Sequence, residues 1–458
     1  MKKTKIICTI GPASEAEPTM RELIKIGMNV VRMNFSHGDY EEQGARIKTT
    51  RKLNAELGTN VALMLDTKGP EIRTHLFEGG KVQVEKGSTV SVYMNEITGD
   101  ATKFSVTYAG LINDVEIGGT ILVDDGYLEL KVESKDMENG IIVCKAMNSH
   151  KLKNKRGINV PNVKLNMDFI SPKDKADIEF ACDQDLDFIA ASFVRRADDV
   201  RQIREILKAK GNDNIKIISK IENQEGVDNL DEIVEASDGI MVARGDMGVE
   251  IPAWEVPNVQ KTLVDKCQSE GKYVVVATQM LESMQNNPRP TRAEVNDVAN
   301  AVLDGTDATM LSGESANGDY PIESVKYMAQ IDERMDEEMD YDWFLENGLY
   351  GNPEDMDEKT ALGMAAAKIA LEFDAKAIIT DGCSCLARQV SRFRPCCPVI
   401  ASVKDGRQAR SLALAFGVTA LVADKAQCIK FMEEKELATK GDMYIVVTND
   451  SVKIETLK

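Results

Sequence analysis

Short apolar runs recur in two parts of the chain, residues 1–70 and 186–312, and most of them are separated by stretches with helical periodicity. The runs are nearly continuous rather than alternating, which is typical of parallel strands that are covered on both faces. They are Lys5–Ile10, Asn29–Met33, Val61–Asp66, Asp187–Phe193, Ile215–Lys220, Gly239–Ala243, Tyr273–Thr278 and Ala308–Ser312. Eight strands with intervening helices predict a (β/α)8 barrel. An open, doubly wound parallel sheet is the alternative that the same pattern allows.

The pattern changes to strict alternation between the third and fourth runs. From about Glu71 to Leu165, alternating segments such as Thr89–Tyr93 and Leu128–Glu133 are separated by turn signals, for example Gly79-Gly80. This pattern predicts a small antiparallel, barrel-like β unit. Its place after the third strand puts it at the C-terminal mouth of the barrel, where it can act as a lid.

The last part of the chain predicts a separate α/β unit with a mainly parallel sheet. Its predicted strands are Ala377–Thr380, Val399–Val403, Thr419–Val422 and Met443–Thr448. It is preceded by an acidic stretch, Asp332–Asp342, with seven carboxylates in eleven residues, which we interpret as a solvated helix face and linker. We therefore expect residues 1–70 and 166–342 to form the barrel, 71–165 the lid and 343–458 a C-terminal domain.

The charge balance narrows the range of partners. The 458 residues carry 56 Lys and Arg against 75 Asp and Glu, a net charge of −19. Nucleic acids and anionic lipids would repel such a protein, so neither is expected as a partner. No apolar stretch approaches the roughly 20 residues of a membrane helix, and the run after the basic start is too short for a secretory signal.

The nine cysteines are an odd number without a regular framework, which predicts free thiols in a reducing, cytoplasmic compartment. Two close pairs, Cys383/Cys385 and Cys396-Cys397, suggest a metal or redox site. Because their spacing matches no common zinc pattern, ordinary apolar packing is the expected role, and metal binding is the alternative.

The predicted strand ends carry most of the candidate chemistry. They read RMNFSHG from Arg32, DTKGPEIR from Asp66, KIENQEG from Lys220, ARGDMGVE from Ala243 and TQ at Thr278. Reacting groups of (β/α)8 enzymes lie where strands end and βα loops begin. A barrel with only a structural role needs no such concentration of carboxylates, cations and hydroxyls at one rim, so the pattern indicates an enzyme.

The residue types at this rim predict a metal and an anionic substrate. Lys220 and Glu222 are two apart and point to the same side of an extended chain. Glu222 with Asp246 from the next strand makes an oxygen-rich site suited to Mg²⁺ or Mn²⁺. With Arg32, Arg73 and Lys220 they form a cationic pocket in an acidic protein, so the substrate is expected to carry a phosphate or a carboxylate.

At these residues the chain closely resembles the pyruvate kinase family. The segments that carry the resemblance occur in the family's order and cover nearly the whole chain: TKIICTIGPAS, VVRMNFSHG, LDTKGPEIRT, SKIENQEG, MVARGDMGVEIP, ATQMLESM and PRPTRAEVNDVANAVLDGTDATMLSGE. The resemblance implies a TIM barrel, an inserted lid and a C-terminal α/β domain. It also implies transfer of the phosphoryl group of phosphoenolpyruvate to ADP, the last step of glycolysis, by a cytoplasmic homotetramer.

The resemblance further implies a role for each site residue. The divalent cation, Mg²⁺ or Mn²⁺, would bind Glu222 and Asp246. A K⁺ ion would bind Asn34, Ser36, Asp66 and Thr67, the last through its backbone carbonyl. The catalytic residues would be Lys220, Thr278, Arg32 and Arg73. The substrate would contact Arg32, Lys220, Gly245, Asp246 and Thr278. The nucleotide would contact Asn34, His37, Arg73 and Arg156. Glu71 is the residue type of K⁺-dependent members, so K⁺ dependence is implied.

The C-terminal unit departs from the family pattern. Many members bind a sugar phosphate in a hydroxyl-rich loop there, but here the loop from Thr380 to Cys385 contains Asp381, and no Gly-rich loop follows Thr448. We therefore expect no sugar-bisphosphate activation, and the unit would serve oligomer contacts or a different effector.

Two other functions are consistent with parts of the pattern. A barrel aldolase would use Lys220 as a Schiff-base nucleophile, which requires a lysine with a lowered pKa. The second is a catalytically inactive ligand sensor, in which some site residues would have been replaced by residues that cannot perform catalysis. Every site position named above has a residue type that can perform its role.

Overall fold

The computed structural model describes residues 2–346 and 356–458. The chain begins with β1 (Lys5–Thr9), α1 (Glu17–Ile26), β2 (Met28–Asn34), α2 (Tyr40–Leu57) and β3 (Ala62–Asp66). Local sequence sets these limits. The Asp39 carboxylate caps α2 by accepting the backbone N–H groups of Glu41 and Glu42. The helix ends at Gly58, whose φ of 64° suits a residue without a side chain.

A separate β unit is inserted after β3. Its elements are β4 (Ile72–Arg73), a 3-10 turn (Glu78–Gly80), β5 (Lys81–Val84), β6 (Thr89–Tyr93), β7 (Lys103–Ser105), α3 (Leu111–Asp114), β8 (Thr120–Val123), β9 (Leu128–Asp136), β10 (Ile141–Ala146), β11 (His150–Lys153) and β12 (Gly157–Asn159). One sheet has the order β4-β12-β8-β9-β10-β6-β7, and β5 pairs with β11. The pairing is antiparallel as predicted, except that β6 and β7 run parallel. The alternating residues Leu128, Leu130 and Val132 enter a core of its own.

The chain then returns to complete the barrel. The elements are α4 (Pro172–Asp183), β13 (Phe188–Ala191), α5 (Ala197–Ala209), β14 (Lys216–Ile221), α6 (Gln224–Asp228), α7 (Leu230–Ala236), β15 (Gly239–Ala243), α8 (Arg244–Glu250), α9 (Val256–Ser269), β16 (Tyr273–Ala277), a 3-10 turn (Glu282–Gln285), α10 (Arg292–Leu303), β17 (Ala308–Leu311), α11 (Gly313–Ala316), α12 (Pro321–Glu338) and α13 (Tyr341–Glu346).

The parallel strands close on themselves in the order β1-β17-β16-β15-β14-β13-β3-β2. The predicted (β/α)8 barrel is therefore confirmed, and the open sheet is excluded because β1 pairs with both β17 and β2. Alternate strand residues face the barrel interior or the surrounding helices, and both sets are buried. This double burial explains the continuous apolar runs. In the described ranges, no helix has both the length and the apolar character needed to cross a membrane.

The C-terminal unit contains α14 (Glu358–Glu372), β18 (Ile378–Asp381), α15 (Ser384–Ser391), β19 (Val399–Val403), α16 (Gly406–Ser411), β20 (Val418–Val422), α17 (Lys425–Glu434), β21 (Met443–Val447) and β22 (Val452–Thr456). Its sheet has the order β20-β19-β18-β21-β22 and is parallel except for β22, as predicted. The sequence analysis missed β22. Residues 347–355 of the expected C-terminal domain lie outside the described residues.

The C-terminal unit packs under the barrel, at the end where the barrel strands begin. Lys5 at the start of β1 donates from Nζ to the Val418 carbonyl over 2.7 Å, and the Tyr273 hydroxyl donates to the Ser411 carbonyl over 2.9 Å. A single buried apolar cluster continues from the barrel interior into this unit. The lid lies at the opposite end of the barrel, where the strands end.

Two expectations from the sequence are corrected. In the acidic stretch, Asp332 and Asp336 are buried in α12, not solvated. Asp336 accepts the Thr4 hydroxyl at 2.7 Å and so fastens the start of the chain, while Asp332 accepts the Thr309 hydroxyl of β17 at 3.1 Å. The cysteines are not all free thiols, because a disulfide joins Cys383 and Cys385.

Candidate active site

A chain of ion pairs between buried side chains crosses the mouth of the barrel. Arg32 on β2 donates from Nε to Asp66 Oδ2 over 2.7 Å, and Lys220 on β14 places Nζ 3.2 Å from Asp66 Oδ1. The same Nζ lies 3.0 Å from Glu222 Oε1. All four side chains are at least nine-tenths buried. The strand ends thus bring together four of the predicted site residues.

Burial and charge set the protonation of this cluster. Burial opposes the ionised form of Asp66, but the Arg32 guanidinium and the Lys220 ammonium hold its pKa below the usual range. Burial would also lower the pKa of Lys220, yet Asp66 and Glu222 outweigh it and raise that pKa. A firmly protonated lysine is a poor Schiff-base nucleophile, so the structure disfavours the aldolase alternative.

Glu222 has the environment of a metal ligand. Its Oε2 accepts the Phe193 backbone N–H at 2.6 Å, whereas its buried Oε1 is ion-paired with the Lys220 ammonium and accepts no further hydrogen bond from the described residues. Burial raises the pKa of Glu222 to about 7, Lys220 opposes that rise, and the nearby charge of Asp246 adds to it. Such a carboxylate pair fits Mg²⁺, which binds one or two protein carboxylates and keeps water and substrate oxygens as its other ligands. Within the described part of the chain, no group of three or more His, Cys, Asp or Glu side chains forms a fuller metal cage.

The sequence analysis missed Ser192 and Phe193, which follow β13. Lys220 Nζ donates to Ser192 Oγ over 2.8 Å, and this hydroxyl lies 2.7 Å from the Thr67 carbonyl oxygen. Phe193 adopts a φ of 55°, which is rare for a bulky residue, and so points its N–H at Glu222. Neither residue is charged, so no sequence signal separated them from the apolar strand before them.

Thr278 follows β16 in a strained conformation, with a φ of 68° that is unfavourable for a β-branched residue. Its Oγ1 accepts the Gly245 backbone N–H at 2.7 Å and donates to the Ala277 carbonyl at 2.6 Å. Gly245 tolerates this approach because it lacks a side chain: a Cβ there would lie 3.3 Å from the Thr278 hydroxyl. The predicted substrate contacts Gly245, Asp246 and Thr278 therefore lie where the neighbouring strands β15 and β16 end.

The four residues assigned to K⁺ lie around the ends of β2 and β3. Asn34 is the register partner of Asp66, and the Ser36 backbone N–H donates to Asn34 Oδ1 over 3.0 Å. Thr67 directly follows Asp66, and both are buried. The four residues are thus neighbours in the fold, and their side-chain and carbonyl oxygens are hard donors of the kind that alkali cations prefer.

A cleft of about 530 Å³ lies between the lid and the barrel. Of the predicted nucleotide contacts, Arg73 and Arg156 line it, while Asn34 and the exposed His37 are not among its lining residues. Arg73 Nε donates to Glu71 Oε1 over 2.7 Å, and this bond raises the pKa of Arg73. Arg156 Nε lies 3.6 Å from Asp124 Oδ1 of the lid.

Two family models match the chain. One, described as "Pyruvate kinase, barrel domain", matches residues 1–325, and the other, "Pyruvate kinase, alpha/beta domain", matches residues 360–458. Curated proteins named pyruvate kinase are similar over nearly the full length. The protein of Bacillus licheniformis is 50% identical over 455 residues, which cover 99% of this chain and 77% of that protein. That of Staphylococcus saprophyticus is 51% identical over 456 residues, with the same coverage. That of Clostridium acetobutylicum is 48% identical over 97% of this chain and 96% of its own.

Proposed function

The chain belongs to the pyruvate kinase family and transfers the phosphoryl group of phosphoenolpyruvate to ADP, and from this premise we propose which of its residues perform the transfer. The family implies a divalent metal requirement. The observation that carries the assignment is the buried chain Arg32–Asp66–Lys220–Glu222 at the barrel mouth. At its end, Glu222 Oε1 lies 3.0 Å from the Lys220 ammonium and accepts no other hydrogen bond from the described residues.

We assign the divalent cation to Glu222 and Asp246, and Mg²⁺ or Mn²⁺ to this pair of hard oxygen ligands. When bound there, the cation would neutralise substrate phosphate and carboxylate charge. Because Glu222 is fixed by the Phe193 N–H, its second oxygen is already oriented for a ligand.

We assign stabilisation of the moving phosphoryl group to Lys220. Phosphoryl transfer needs little covalent help from a protein but needs accurate positioning and charge compensation. Lys220 is charged, buried and held from three sides by Asp66, Ser192 and Glu222. Arg32, aligned by Asp66 and by the Thr9 hydroxyl at 2.8 Å, would hold phosphate oxygens. These groups are oriented before substrate arrives, so little reorganisation is required during the reaction.

We assign the remaining roles to the neighbouring strand ends. The Gly245 and Asp246 backbone would receive the substrate carboxylate, and Thr278 would order the water that protonates the enol product. Arg73, Arg156, Asn34 and His37 would hold the nucleotide when the lid moves over it. K⁺ would bind Asn34, Ser36, Asp66 and Thr67, with Glu71 as the marker of that requirement.

We also propose the domain boundaries, the oligomeric state and the cellular location that the sequence predicted. They are the division at residues 70, 165 and 342, the homotetramer and the cytoplasmic location.

The direct test is pyruvate formation from phosphoenolpyruvate and ADP with Mg²⁺, run with K⁺ and again with Na⁺ or a bulky organic cation. We expect strong activity that requires K⁺. Equal activity with K⁺, Na⁺ and the organic cation would contradict the proposed K⁺ site at Asn34, Ser36, Asp66 and Thr67. Full activity after complete removal of divalent metal would contradict the roles of Glu222 and Asp246.

A further inference from the structure

The disulfide between Cys383 and Cys385 lies in the connection from β18 to α15, far from the barrel mouth. Cys385 is exposed and Cys383 is half-buried. The seven free cysteines are enclosed by comparison, since six are buried and Cys396 is partly buried. Burial raises the pKa of several of these thiols, for example that of Cys428 to about 11. Cys396 is the exception, because its hydrogen bond with Cys397 lowers its pKa to about 7. Cys385 is the one exposed sulfur among the cysteines that the structure describes.

The surroundings of the pair favour the thiolates that reduction would produce. Cys383 is the N-cap residue of α15, and no side chain caps this helix. A thiolate at an N-cap is stabilised by the helix dipole and by free backbone N–H groups. The ammonium of Lys359, in the first turn of α14, lies 3.4 Å from Cys385 Sγ. Each sulfur thus has its own source of positive potential.

We propose that Cys383 and Cys385 form a reversible thiol–disulfide exchange site, reduced by a dithiol in solution. The attacking thiolate forms a bond to Cys385 Sγ, the bond between the two cysteine sulfurs breaks, and Cys383 leaves as a thiolate. The second thiol of the reductant then attacks the mixed disulfide and releases Cys385. Two electrons and two protons pass from the dithiol to the pair, and the reductant becomes a disulfide.

Exposure and leaving-group chemistry select the same sulfur for attack. Cys385 is the more accessible atom, and the positive Lys359 beside it attracts an incoming thiolate. When Cys385 is attacked, Cys383 leaves as a thiolate at the N-cap of α15, where the helix dipole stabilises it. Exchange therefore produces a mixed disulfide on Cys385.

The first test is a titration of the folded full-length protein with dithiothreitol, followed by alkylation and mass spectrometry of the Cys383–Cys385 peptide. We expect both cysteines to resist alkylation before reduction and to be alkylated afterwards, with the far-UV circular dichroism unchanged. Full alkylation in protein purified and assayed in air without reductant would overturn the proposal. So would a disulfide that dithiothreitol opens only under denaturing conditions.

The second test follows the site of attack and does not depend on the first. Cys383→Ser, treated with oxidised glutathione, is expected to form a stable mixed disulfide on Cys385, and Cys385→Ser to react several-fold more slowly at Cys383. With both cysteines present, Lys359→Gln should slow reduction of the disulfide by about two- to fivefold, the effect of one exposed charge. Cys396→Ser, which alters the most accessible of the other thiols, is the matched control and should leave the reduction rate unchanged. Faster reaction at Cys383 than at Cys385 would overturn the proposal.

Discussion

Asn159 on the lid donates from Nδ2 to Oε1 of Glu250 on the barrel over 2.7 Å. The bond joins β12 to the end of α8, across the cleft that Arg73 and Arg156 also line. Burial raises the pKa of Glu250, whereas the Asn159 bond lowers it. Glu250 also accepts the backbone N–H of Val160, so two adjacent lid residues bind one carboxylate of the barrel and help to hold the lid in place.

Removing the Asn159 contact is expected to weaken nucleotide binding more than chemistry. In Asn159→Ala the KM for ADP should rise by about two- to tenfold, the effect of one net hydrogen bond. The kcat should change by less than twofold, because Asn159 contacts none of the ion-paired residues. Glu250→Gln keeps the acceptor oxygen and is the matched control, with kinetics near wild type. Hydrogen exchange in β12 should be faster in Asn159→Ala. Unchanged exchange together with an unchanged KM would contradict a role of the Asn159–Glu250 bond in holding the lid.

Lys220→Met is expected to abolish phosphoryl transfer while sparing the proton transfer that interconverts the enol product and pyruvate. Loss of one transition-state donor lowers rates by about 10²–10³-fold, and we expect at least that loss in ATP formation. Metal-dependent enolisation of pyruvate, followed by exchange of its methyl hydrogens with deuterated water, should remain measurable. Lys216→Met, on the same strand but paired with Asp238 at the other end of the barrel, is the control. Turnover like that of the wild type in Lys220→Met would end the proposed role.

Glu222→Gln is expected to weaken divalent-metal binding before any substrate is added. The substitution preserves size and an oxygen acceptor for the Phe193 N–H, but it removes the negative charge that a hard cation requires. We expect Mn²⁺ affinity, measured by electron paramagnetic resonance, to fall at least about tenfold. Even residues that only hydrogen-bond to metal ligands change metal affinity by about 10–100-fold when they are mutated. Glu225→Gln alters a nearby carboxylate that lines the cleft between the lid and the barrel, and this variant should bind Mn²⁺ normally. Equal affinity in wild type and Glu222→Gln would place the metal elsewhere.

The sequence predicted the barrel because burial on both faces leaves a direct mark on the chain. All eight predicted runs overlap observed strands, and Gly239–Ala243 matches without any shift. The short antiparallel β22 was missed because its half-exposed, charged sequence carries little apolar signal. The buried state of Asp332 was also missed, since composition alone cannot show that a carboxylate in an acidic stretch turns inward.

The candidate site was predictable where its residues are charged and follow strands. Arg32, Lys220 and Glu222 were selected from the rim, and the structure joins them through Asp66, which only the family resemblance had assigned to the site. Ser192 was not selected, because a hydroxyl at the end of an apolar run is common and its contact with Lys220 depends on barrel closure. Long-range register, not local pattern, decides which neutral groups complete a site.

The burial of Lys5 under the barrel predicts an unusual dependence of stability on pH. Burial, helped by the charge of Lys2, lowers the pKa of Lys5 to about 7, whereas an unfolded lysine titrates near about 10.4. Between these values the unfolded chain binds more protons, so the contribution of Lys5 to the free energy of unfolding rises with pH and is flat below about 7. Relative to Lys5→Met, the wild type should therefore gain stability between pH 7 and 10, as measured by urea unfolding at several pH values. Lys435 is an exposed lysine that lines, with Lys5, a cavity between the barrel and the C-terminal unit, and Lys435→Met should show no such relative gain. A parallel pH dependence of wild type and Lys5→Met would contradict the shifted pKa.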